Sequence, residues 1–121
     1  MKQEERRRFK RYPCNIPLEY YLYSSKIKGG QSKIQNVSKG GLMFPMKTAP
    51  FPDTVIVVKI DSKKIAKYVD FNTILLDTDG NPIGRVTYVS ENKRRKAYEV
   101  GVRFLEKPRT EAEKKQYEQR K

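Results

Sequence analysis

The stretch QSKIQNVSKGGLMFPM, residues 31–46, decides how this chain folds. Gln31 to Val37 reads as a strand with Ile34 and Val37 as its inward positions, and Gly41 to Met46 resumes as a further strand. Between the two lies Asn36-Val37-Ser38-Lys39-Gly40-Gly41. Asparagine and serine bond their own backbone and glycine tolerates positive φ, so the hexapeptide reads as a strand-to-strand turn. A second reading is a small polar nest: Asn36 and Ser38 present their side chains while the glycines let a ligand approach the backbone. These six residues by themselves leave both readings open.

Further strands are read on either side. Ile16 to Tyr23 is rich in β-branched and aromatic residues, with Pro17 placing it near an edge or at the strand start. Val55 to Ile60, VIVVKI, has the clearest core-strand pattern. Thr73 to Asp77 and Gly84 to Ser90 are strands flanking a turn at DTDGNP, and Glu91 to Lys96 is a charged hairpin tip. Ala97 to Leu105 closes the series, alternating Tyr98, Val100, Val102 and Phe104 on one face. Lys63 to Asp70 is ambiguous, because Ile65, Tyr68 and Val69 have helical spacing and a strand fits equally well. The basic arm Met1 to Arg11 has no helical stripe and is expected to be mobile, ending at Tyr12-Pro13. After Pro108, Thr110-Glu111-Ala112-Glu113 is a capping-box pattern, followed by little apolar content. The expected organisation is an arm at 1–12, an antiparallel barrel or sandwich at 13–107, and a short helix or polar tail at 108–121.

Composition narrows the chemistry. The 121 residues hold 27 Lys and Arg against 14 Asp and Glu, a net charge of +13, which favours an anionic partner such as a nucleotide, a nucleic acid or an acidic membrane surface. With a single cysteine and no histidine, neither a tetrahedral zinc site nor a histidine-assisted nucleophile has its ligands. Asp77-Thr78-Asp79-Gly80-Asn81 looks faintly like a calcium loop, but Asn92 stands near the place where a closing acid is needed, so a hairpin turn is expected and no metal. No apolar run approaches the ~20 residues that span a bilayer. The amino terminus also lacks the apolar core of a signal peptide, so a cytoplasmic location is expected.

Two motifs then combine. Arg6-Arg7-Arg8-Phe9-Lys10-Arg11 precedes the strands, with Arg7 and Arg11 in RxxxR spacing, and Asn36, Ser38 and Gly41 have NxSxxG spacing. Guanidiniums pair with phosphate oxygens and with the Hoogsteen edge of guanine through parallel N–H donors. In this order, and with Gly101-Val102-Arg103-Phe104 in the last strand, the chain resembles the PilZ domain, a bacterial receptor module for cyclic di-GMP, over Glu5 to about Leu105. The resemblance implies a six-stranded antiparallel PilZ-type β-barrel with a terminal helix, no catalysis, no cofactor, and the dinucleotide on the outer face. Arg7 and Arg11 would clamp phosphate and guanine, Asn36 and Ser38 would contact the ligand, Gly41 would hold the turn open, and Arg8 is a further contact. Arg6 stands where a basic residue favours an intercalated pair of ligands. Tyr88 stands where some members stack an aromatic on guanine, with a core tyrosine as the alternative reading, and Arg103 is read as an outward strand charge. The arm would order over the ligand and signal to an unidentified effector protein. The competing reading is a basic barrel that binds single-stranded nucleic acid on Tyr20, Tyr21, Tyr23, Tyr88 and Tyr98.

Overall fold

In a computed structural model, which describes residues 10–24 and 28–108, the period-two alternation of buried positions converts the apolar runs into strands. The strands are β1 (Tyr12–Pro13), β2 (Pro17–Leu22), β3 (Lys28–Lys33), β4 (Asn36–Ser38), β5 (Gly41–Met46), β6 (Val55–Lys59), β7 (Ile83–Asn92) and β8 (Ala97–Phe104). One short helix, α1 (Ser62–Ile65), follows β6. All eight strands join one sheet in the order β1-β4-β5-β8-β7-β6-β2-β3, with every neighbouring pair antiparallel. The sheet curls into a half-barrel, and its far end returns towards β5, where the Ser32 hydroxyl donates to the Pro45 carbonyl at 2.6 Å.

Inside the curl lie Phe44, Val37, Ile56, Val58, Val86 and Val100, each fully buried, with Leu42, Val102 and Phe104 beside them. Each such side chain contributes roughly 1.5–3 kcal/mol relative to exposure. Phe44 packs on Tyr20 with ring centroids 5.4 Å apart. The long connection after β6 caps this core. Asp61 starts α1 by accepting the Lys63 amide on its side chain, and the segment then delivers Ile65, Val69 and Ile74 into the apolar cluster. The ambiguity over Lys63 to Asp70 thus resolves as one helical turn followed by irregular chain, with the apolar residues serving as a plug.

The expected count of six strands is corrected to eight among the described residues. The single strand expected over Gln31 to Val37 divides, because its two halves pair with different neighbours. β3 pairs with β2, whereas β4 lies between β1 and β5. The handover occurs at Ile34, whose amide donates to Ile16, and at Gln35, whose amide donates to Met43. Tyr12–Pro13, read as the end of the arm, adds β1. In the opposite direction, Thr73 to Asp77 is not a strand. It makes only the isolated bridges Ile74↔Glu106 and Leu76↔Pro82, since its end is turned back by the Asp77 side chain. Residues 1–9 of the arm and 109–121 of the tail lie outside the described residues, and with them the expected C-terminal helix.

Candidate functional site

The NVSKGG hexapeptide forms a tight hairpin. Ser38 pairs with Gly41, Val37 with Leu42 and Asn36 with Met43, leaving Lys39 and Gly40 as the turn. Ser38 braces it: the hydroxyl accepts from the Gly40 amide at 3.2 Å and donates to the Gly41 carbonyl at 3.4 Å. Val37 points into the core, so Asn36 and Ser38 both face outward and are half-buried. The Asn36 amide nitrogen lies 3.9 Å from the Met43 sulfur.

β1 brings the arm to this hairpin. Tyr12 pairs with Val37 and Pro13 with Asn36, so Arg11, one residue earlier on an antiparallel strand, arrives at the level of Ser38. The root of the arm is held further by the Tyr12 ring, which lies 5.1 Å from that of Tyr68. Lys10 and Lys67 sit over these two rings at 5.6 and 5.2 Å. Arg11 is exposed, while Arg6, Arg7 and Arg8 lie outside the described residues.

The outer face continues from the hairpin as two rows across the sheet. One row runs Ser38, Gly41, Arg103, Arg85, and the next runs Asn36, Met43, Gly101, Tyr88. Gly41 and Gly101 put no side chains of their own in the middle of this face, between Ser38, Asn36 and Met43 on one side and Arg85, Arg103 and Tyr88 on the other. Both glycines are buried, and the Tyr88 ring reaches within 3.8 Å of where a Gly101 Cβ would stand. A Cβ on Gly41 would run into the backbone carbonyl of Val102 and come within 3.1 Å of the Arg103 Cα. Close approach of β8, not freedom of φ, is therefore what requires glycine there. Gly41 does not take a positive φ.

Tyr88 is 48% exposed, which removes the core-tyrosine reading. Its outward position depends on a bulge: register shifts between Val86 and Tyr88, so Arg85 and Tyr88 face the same side although they are three residues apart. Arg103, read as an outward strand charge, is exposed, and it lies directly opposite Arg85.

Elsewhere the polar groups serve the fold. Asp77 accepts the amides of Asp79 and Asn81 at 2.9 and 2.8 Å and the Tyr21 hydroxyl at 2.7 Å. Burial alone would raise the Asp77 pKa, but these bonds and the Asn81 side chain outweigh it and hold the carboxyl below its usual value. The same carboxylate pushes the Tyr21 hydroxyl up to about 12. Asp77 to Asn81 is thus a turn closed by its own aspartate, as its sequence predicts. A recess of about 860 Å³ lined by Leu18, Gln31, Ser32, Pro45, Lys59 and Asn81, among others, holds none of the expected site residues.

A curled antiparallel sheet with a basic arm rooted beside an NxSxxG hairpin defines a small all-β ligand-binding module. The chain belongs to the PilZ family: the model of the PilZ domain matches residues 5–117. Membership indicates a cyclic di-GMP-binding receptor module of a generally non-catalytic kind. A search among curated proteins finds no match to the chain. No helix among the described residues is long and apolar enough to cross a membrane.

Proposed function

We propose that this chain is a non-catalytic cyclic di-GMP receptor that binds its ligand on the outer face of β4, β5 and β8 and closes its N-terminal arm over it. The observation that carries this reading is the β1–β4 pairing, which sets the root of RxxxR beside the NxSxxG hairpin. In the free protein Arg11 is exposed. A ligand with two phosphates offers the charge-assisted partners that guanidiniums bind most strongly. Arg7 and Arg11 clamp phosphate and guanine, Arg8 adds a contact, Asn36 and Ser38 bind from the hairpin, and Tyr88 stacks on a base. Arg6 recruits a second, intercalated ligand, since stacked dinucleotides concentrate four phosphates that need further cations. Ordering of the arm then presents a new surface to a cytoplasmic effector protein.

Isothermal titration with cyclic di-GMP, using linear pGpG, GTP and a single-stranded oligonucleotide as controls, tests the reading. Saturable heat with intact ligand recovered afterwards is expected. No heat at high micromolar ligand would end it. Tighter oligonucleotide binding that collapses steeply with salt would favour a nucleic-acid function, because many phosphate contacts release many counterions.

A further inference from the structure

Arg85 and Arg103 are the feature of the outer face that no motif accounts for. They are direct cross-strand partners on β7 and β8, both exposed, and Arg103 is at the same time the partner of Gly41 on β5. Like charges directly opposite on adjacent strands repel, with Cβ atoms about 5 Å apart. Neither arginine has a hydrogen-bond or ion-pair partner among the described residues. Such a pair destabilises the free protein and stores affinity for an anion placed between the two guanidiniums.

We infer that Arg85 and Arg103 form a phosphate-binding pair on the side of the outer face opposite Arg11. The inference rests on the receptor reading above and extends it to residues outside both motifs. Strand spacing puts Arg103 about 10 Å from Ser38 and Arg85 about 14 Å away, across Gly41. A cyclic dinucleotide lying over these strands, held from one edge by Arg11, carries its other phosphodiester towards β7 and β8. Two planar forks accept one phosphate with parallel N–H donors, and the anion relieves their mutual repulsion. Tyr88, in the neighbouring row, stands where the adjacent base would lie.

The test compares cyclic di-GMP affinity in the unmodified chain, Arg85→Ala, Arg103→Ala, the double variant, and Arg94→Ala at the hairpin tip as a control of equal net charge. Each single site variant is expected to bind roughly tenfold more weakly, the loss of one charge-assisted contact. Arg94→Ala should stay within about twofold, as a distant exposed charge is screened. Free Arg103→Ala should also melt at an equal or higher temperature at low salt, which shows that the weaker binding is not a folding defect. Unchanged affinity in the double variant, or an equal loss in Arg94→Ala, overturns the inference while leaving the receptor reading intact. Failure of the unmodified chain to bind overturns both.

Discussion

Replacing Gly41 by alanine separates a structural glycine from a ligand-binding one. The added Cβ would meet the Val102 carbonyl, with the Arg103 Cα and the Val102 carbonyl carbon both at 3.1 Å. All three are backbone atoms, so no side chain can swing away and β5 must separate from β8 at that end. Overpacking that side chains absorb costs about 1–3 kcal/mol, and a clash with fixed backbone belongs at the top of that range, about 3 kcal/mol. In a domain of this size such a loss lowers the melting temperature by roughly 10 °C. Gly101→Ala is the internal comparison. Its Cβ would lie 3.1 Å from the Tyr88 Cβ, a contact that a shift of a few tenths of an ångström in the bulged backbone of β7 relieves. That variant should cost less than about 1 kcal/mol. Melting followed by circular dichroism in the free proteins checks both values, with urea unfolding to verify an unchanged slope. A Gly41→Ala chain melting within about 2 °C of the unmodified one, or Gly101→Ala proving the more damaging, would refute the close-approach argument.

Arg7→Ala and Arg11→Ala should each weaken cyclic di-GMP binding by roughly ten- to a hundred-fold, with the free melting temperature almost unmoved; calorimetry and melting together check this. Stoichiometry should be two ligands per chain, falling towards one in Arg6→Leu, and a clean one-to-one complex in the unmodified chain would remove the intercalated pair. Tyr21→Phe deletes the 2.7 Å bond to Asp77 and should cost on the order of 1 kcal/mol at neutral pH. The Asp77 pKa is held below its ordinary 3.8, so its contribution is present above that value and is lost as acid protonates the folded carboxyl. Tyr21, raised from 10.0 to about 12, contributes fully below 10.0 and loses the effect as pH climbs towards 12. Melting curves of Tyr21→Phe and the unmodified chain should therefore converge at both extremes, and a gap that persists in strong acid would contradict the assignment.

What the sequence made legible were the features written in local pattern. The alternation of Val100, Val102 and Phe104 located β8, and the apolar runs at 41–46 and 55–60 located β5 and β6 nearly to the residue. The hairpin reading of NVSKGG also holds, though its glycine answers to packing from a strand more than fifty residues later. Long-range pairing was not legible. Nothing in Gln31 to Val37 announces that β3 and β4 serve different neighbours, because that division follows from the curl of the whole sheet. The bulge at Val86–Tyr88 is equally silent. Counted back from the Asn92↔Ala97 pair, a regular ladder would set Val86 opposite Arg103, and only the extra residue moves Arg85 there. Arg103 could be read as outward, but its pairing with both Gly41 and Arg85 could not. The ambiguous segment after β6 failed for a different reason: Ile65, Val69 and Ile74 plug the end of the core from one short turn and irregular chain, where neither a strand nor a helical period applies.

The outer-face site is tested most directly by amide chemical shifts recorded while unlabelled cyclic di-GMP is added to ¹⁵N-labelled protein. Shifts are expected to concentrate at Arg11, Asn36, Ser38, Gly40 and Gly41, extending across Gly101 and Arg103 to Tyr88. Gln31, Ser32, Lys59 and Asn81, around the separate recess, should stay in place. Shifts centred on that recess, or none at saturating ligand, would contradict it.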